Sequence, residues 1–261
     1  MTRVRAPRRG PWAPLLAALL LVLAPAAGAK TVEEWLAEGD QHYAAAHLAE
    51  AQAAYAAALQ AAPGHFAVLC RLSHTESELG ELQKGDVQRA TRAAAVEHAR
   101  AAVKAAPDSA AGHVWLAVAL GRQALTEAPK TKLALSREIR SEVDRALQLD
   151  PGVGRAWHVL AVWNVKVASL NAMERMAANA VLGGVPKGAS FENAEKAFQK
   201  AIALEPAYVN HRLEYGRMLK ERGRKAEARQ ELEKAVSLPP TSGALDARYQ
   251  AEAKELLAKL K

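Results

Sequence analysis

Five prolines, Pro63, Pro107, Pro151, Pro206 and Pro240, punctuate this sequence, and each closes a similar alanine-rich helical pattern. Three blocks read Ala51-x3-Tyr55-x2-Ala58-x4-Pro63, Ala194-x3-Phe198-x2-Ala201-x4-Pro206 and Ala228-x3-Leu232-x2-Ala235-x4-Pro240. Residues three and four apart share one face of a helix, so each block writes a small–large–small ridge suited to close helix–helix contact. Proline lacks the N–H that would continue the helix and clashes with the preceding turn, so each helix stops there. A unit of this kind cannot bury its apolar face alone; it is stable only when stacked on copies of itself. The chain is therefore read as all-α, a solenoid of about five helix pairs closed by a C-terminal helix.

Counting back from the prolines places Trp35 and Gly39 on the helix before the first block, and Tyr215-Gly216 on the helix before the last. Gly39 is expected to let the second helix approach closely, with Ala51 and Ala58 opposite it. This arrangement resembles the tetratricopeptide repeat, so the resemblance implies a non-enzymatic binding scaffold. The expected repeats span 32–65, 66–109, 110–153, 154–208 and 209–242, with a capping helix over 243–261. The prolines are 44, 44, 55 and 34 residues apart, so only the last interval matches an uninterrupted unit. The extra residues are expected between the two helices of a pair, around Leu79-Gly80 to Asp86 and around Glu127 to Lys130. In the longest interval, the 3–4 spacing of Val162, Val165, Ser169, Met173, Met176 and Ala180 predicts one helix running from Trp157 to Leu182. Leu256, Leu257 and Leu260 give the closing helix an apolar stripe.

The first 29 residues read differently. Arg3, Arg5, Arg8 and Arg9 precede an apolar run from Trp12 to Ala24, and Ala27-Gly28-Ala29 follows. A basic region, a short apolar core and a small-x-small site make a secretory signal peptide, with residues 30–261 as the mature domain. The expected location is periplasmic or secreted. Membrane contact is expected only through this segment, were it left uncleaved. Without its four arginines, 31 basic residues face 28 acidic ones, so the basic balance is no argument for a nucleic-acid partner. The single cysteine, Cys70, excludes an internal disulfide framework and, flanked by Val68, Leu69 and Leu72, reads as a buried thiol.

No catalytic set converges. His42 and His47 are five apart, the wrong spacing for a two-histidine zinc helix, and Ser73-His74-Thr75-Glu76 are consecutive and diverge around a helix. Gly183-Gly184-Val185-Pro186-Lys187-Gly188-Ala189-Ser190 has the glycines of a phosphate loop but Ala189 where its lysine belongs. It reads as a helix stop, a turn and Ser190 as N-cap, with Lys187 beside a helix end that could take an anion. No cofactor and no metal is implied. The concave face of the array is the natural place for a partner, and the candidate groove residues are Asp40, His74, Arg122, Arg155, His158, Arg217 and Lys220. Their basic excess suits an acidic protein segment or peptide. A second reading makes the Met173/Met176 region the wall of a lipid or apolar-ligand cavity.

One stretch points to a particular family. Trp157-His158-Val159-Leu160-Ala161-Val162-Trp163 is followed by Arg175, by Pro186-x3-Ser190-Phe191-Glu192-Asn193-Ala194, and by Asp246-x2-Tyr249-x2-Glu252-Ala253-x2-Leu256-Leu257. This series resembles the regulator of microtubule dynamics family. The resemblance implies a helical-repeat domain without enzymatic activity and a microtubule-associated role.

Overall fold

The structure, a computed structural model, describes residues 30–181, 184–240 and 243–260. Residues 1–29, expected to form a signal peptide, and Leu182 and Gly183 lie outside the described residues. Twelve helices follow one another: α1 (Val32–Ala44), α2 (Leu48–Ala61), α3 (Phe66–Leu82), α4 (Gly85–Ala105), α5 (Ala110–Ala124), α6 (Pro129–Leu149), α7 (Gly154–Ala168), α8 (Ala172–Val181), α9 (Phe191–Leu204), α10 (Val209–Glu221), α11 (Lys225–Ser237) and α12 (Asp246–Ala258). They pack as the hairpins α1–α2, α3–α4, α5–α6, α7–α9 and α10–α11. The first helices also touch one another, α3 on α5, α5 on α7 and α7 on α10, and so line the inner side of the array.

The proline-closed blocks form as their chemistry requires. Ala51, Ala58, Ala194, Ala201, Ala228 and Ala235 are fully buried, and so are the large residues between them, Phe198 and Leu232, with Tyr55 at 2% exposure. Each large side chain contributes about 1.5–3 kcal/mol by leaving water. Gly39 is where α1 and α2 come closest: a Cβ there would lie 2.3 Å from the Tyr55 ring. Tyr55, more than Ala51 or Ala58, is what the glycine admits. Four of the prolines sit in the same tight turn. The carbonyl of the preceding residue accepts a hydrogen bond from the N–H three residues on, at Ala62–His65, Ala106–Ser109, Asp150–Val153 and Glu205–Tyr208. One repeated turn thus joins successive pairs.

The insertions are handled in ways the spacing did not anticipate. Leu79 and Gly80 belong to α3, and Gly85-Asp86 begins α4, so these residues lengthen helices instead of forming a loop. Likewise Pro129 and Lys130 open α6. Arg92 holds the α3–α4 end together, 4% exposed and bonded to Glu81 at 2.9 Å.

The helix expected from Trp157 to Leu182 is instead two. α7 stops at Ala168, and α8 starts afresh at Ala172. Asn171 and Glu174 exchange reciprocal bonds, Asn171 Oδ1 accepting from the Glu174 N–H at 2.9 Å and Glu174 Oε2 from the Asn171 N–H at 2.8 Å. Such a capping box starts a helix. Arg175 then folds back to donate to the carbonyls of Val167, Ala168 and Leu170, satisfying the end of α7. The apolar spacing continues across the break, which is why periodicity alone joins the two helices.

Candidate interaction face

Charged and aromatic side chains meet on the inner side of the array, and α12 takes part in the contacts. α12 packs on α10 and α11, burying Leu245, Tyr249, Ala253 and Leu260. It also reaches beyond the last pair. The Arg122 guanidinium of α5 donates to the Tyr249 hydroxyl at 3.1 Å, and Arg248 donates to the Glu81 carbonyl at the end of α3 at 2.6 Å. The closing helix therefore lies across the inner face, and its Tyr249 and Glu252, three residues apart, point to the same side. Glu252 accepts from Arg217 at 3.2 Å and from Arg248 at 3.2 Å.

A second cluster joins α7 to α10. Glu205, the residue before Pro206, accepts from the Arg155 backbone N–H at 3.0 Å and from Arg155 Nε at 2.8 Å. Gly154 makes the room, since a Cβ there would sit 2.7 Å from the Glu205 side chain. The Arg155 guanidinium lies 3.4 Å from the centre of the Tyr208 ring, a cation–π contact shielded from water. On the other side of Glu205 is the buried His211, its Nε2 at 3.3 Å, while His211 Nδ1 faces His158 Nδ1 at 3.0 Å. The two Nδ1 atoms are within hydrogen-bond distance, so one imidazole donates and the other accepts there.

The electrostatics follow. Burial pushes the Glu205 carboxyl up, but the bond from His211 and the charge of Arg155 outweigh it and hold it down to about 2. Burial pushes His158 well below its ordinary value, and His211, Arg155 and Arg122 add to the effect. Burial also lowers His211, with Glu205 opposing and Arg155 assisting. Both imidazoles are thus neutral where a surface histidine would begin to charge.

The seven residues named from the sequence separate by location. Arg122, Arg155, His158 and Arg217 are half-buried on the inner face, in the bonds just described. His74 joins them from α3, bonded to Tyr43 at 3.1 Å, 3.3 Å from Glu78 and stacked on Trp115 at 3.9 Å. Burial raises the Glu78 carboxyl, but hydrogen bonds from His74 and Tyr43 leave it below its ordinary value. Asp40 lies apart, paired with Arg71 at 2.7 Å and 3.0 Å and accepting from Tyr55 at 2.6 Å, so it ties α1 to α2 and α3. Lys220 is half-buried on α10, one turn beyond Arg217. The partners Glu205, His211, Tyr208, Tyr249 and Glu252 were not named from the sequence. Tyr249 and Glu252 stood in the closing motif at one-face spacing, and Glu205 stood before a proline at a repeat boundary.

Two further expectations meet the structure here. Met173 and Met176 are 74% and 67% exposed, on the surface of α8 and outside the buried core. Cys70 is buried beside Leu69 and Ala102, and burial pushes its thiol up to about 11.

Paired helices with repeated proline turns and an inner face of first helices define a tetratricopeptide-type repeat protein. A Thermus thermophilus protein of that type, TTC0263, superposes with a TM-score of 0.62 at 20% identity, covering 85% of this chain and 98% of its own. The model of the family described as regulator of microtubule dynamics protein 1-3 matches residues 35–261, so the chain belongs to that family. Regulator of microtubule dynamics protein 3 of Rattus norvegicus is 30% identical over 190 residues, 72% of this chain and 40% of the rat protein. Regulator of microtubule dynamics protein 1 of Caenorhabditis elegans is 28% identical over 191 residues, 73% of this chain and 82% of the nematode protein. The chain thus spans about two fifths of the rat relative and most of the nematode one.

Proposed function

We propose that the protein is a non-enzymatic interaction scaffold that takes a protein or peptide segment on its inner face. The observation that carries this reading is α12, which already lies on that face. Its Tyr249 and Glu252 meet Arg122 and Arg217, so an aromatic and an acidic group on one side of a helix is the chemistry the face receives. Helical segments docked in grooves are read through such anchors. Arg217, bonded to Glu252 of α12, and Lys220 one turn further along α10 are the half-buried cations offered to an acidic partner. The test is a quantitative pull-down comparing the wild type with Arg217→Glu/Lys220→Glu, both confirmed folded by circular dichroism. A several-fold loss of the recovered partner supports the inner face; equal recovery removes it.

Family membership supports a second, narrower reading in which the partner is the microtubule. Co-sedimentation of purified protein with polymerised tubulin decides it, since a protein that stays in the supernatant at all polymer concentrations does not bind the lattice. Export to the periplasm or outside the cell rests on residues 1–29 alone. N-terminal sequencing of the mature protein tests it; export predicts a start at Lys30, and a retained Arg3–Arg9 segment contradicts it.

A further inference from the structure

The structure holds a second polar site, lined by residues other than those of the inner-face clusters. Between α6, α7 and α9 is a cavity of about 280 Å³ lined by Trp157, Leu160, Arg140, Lys187, Asn193 and Lys196 among others. The cations come from three separate segments: Arg140 from α6, Lys187 from the turn before α9, and Lys196 from α9 itself. Arg140 is paired with Asp144 at 2.8 Å, whereas no ion pair among the described residues closes on Lys187 or Lys196. Two lysines without an ion pair among the described residues and one indole therefore line one small cavity.

The wall that presents Lys187 is built in advance of any ligand. Asn164, 2% exposed, accepts from the Ser190 N–H at 3.2 Å and donates to the Leu160 carbonyl at 2.8 Å. Asn193 donates to the Gly188 carbonyl at 2.9 Å, and Gly188 sits at φ +81°, a left-handed conformation that glycine adopts without strain. Trp157 is fixed by its indole N–H on the Pro151 carbonyl at 2.9 Å, leaving its ring to the cavity. The end of α9 is not what attracts an anion here. Ser190 Oγ already accepts the Asn193 N–H, and the Glu192 carboxylate is held below its ordinary value by its own backbone N–H and Ser190. Attraction comes from the side-chain cations instead.

We propose that this pocket binds a phosphate monoester carried on a planar or apolar body. Two lysines match a dianion better than a single carboxylate, and Trp157 with Leu160 gives the body a surface to lie on. The site is independent of the inner face and stands or falls separately from it. The test is titration of the full chain with phenyl phosphate, benzoate and inorganic phosphate, following the Trp157 indole N–H by NMR. Phenyl phosphate should shift that resonance and bind more tightly than either control. Lys187→Ala/Lys196→Ala should weaken it by about tenfold or more, the equivalent of one charge-assisted hydrogen bond. Lys200→Ala, on the same helix but outside the cavity, should bind as wild type. An unmoved indole, or equal affinity in the double variant, overturns the proposal. Equal binding of inorganic and phenyl phosphate marks the site as one for an adventitious ion only, and also overturns it.

Discussion

Glu205 shows how one residue can organise several neighbours. It caps the start of α7 through the Arg155 N–H, clamps the Arg155 side chain and faces His211, and only Gly154 leaves it space. Gly154→Ala should therefore displace the carboxylate and cost about 1–3 kcal/mol in urea unfolding. A loss below a few tenths would mean that the clamp adapts freely. The same cluster sets the acid response. Unfolded histidines take up protons below about pH 6.5, whereas folded His158 and His211, with depressed values, do not. Stability is thus fully present above that pH and declines as pH falls, and a second decline follows below about pH 4.5 as Glu205 is forced to protonate toward its folded value of about 2. His158→Gln/His211→Gln should flatten the first decline and, because His211 also holds the Glu205 carboxyl down, shrink the second. An unchanged profile would remove the histidines from the account.

The elements were legible wherever a local rule fixed them. The alanine blocks, the proline turns and the Gly39 approach all follow from chemistry within one helix pair. The α7–α8 break was not legible from periodicity, because Met173 and Met176 continue the 3–4 spacing while facing solvent. What ends α7 is polar: Asn171 with Glu174, and Arg175 turned back on three carbonyls. Arg175→Ala should speed hydrogen exchange in the last turn of α7 and in α8, leaving α10 and α11 protected. Exchange unchanged in α7 would show that water serves those carbonyls equally well. Lengthening of α3, α4 and α6 was missed for a related reason. Insertions near a hairpin end look like loops by count and by their Gly80, Gly85 and Pro129. Yet Gly80 lies within α3, Gly85 and Pro129 open α4 and α6, and Arg92 with Glu81 ties the extended α3–α4 end together.

At the scale of the whole molecule, the inner face is defined by contacts between residues far apart in the chain. The sequence placed Arg122, Arg155, His158 and Arg217 on that face, because the repeat register fixes which side of each first helix looks inward. It did not reveal their partners, because those depend on how far the array curves before α12 returns across it. On the proposed reading, a partner segment enters a face already organised by an internal helix, whose arginines meet acidic and hydroxyl groups of α12. The claim that α12 lies across this face is tested most directly by a double-mutant cycle on Arg122 and Tyr249, 127 residues apart, with Arg122→Met and Tyr249→Phe. The account predicts a coupling of about 1 kcal/mol in unfolding free energy. Additivity of the two substitutions to within about 0.3 kcal/mol would show that α12 does not close on α5 and would contradict it.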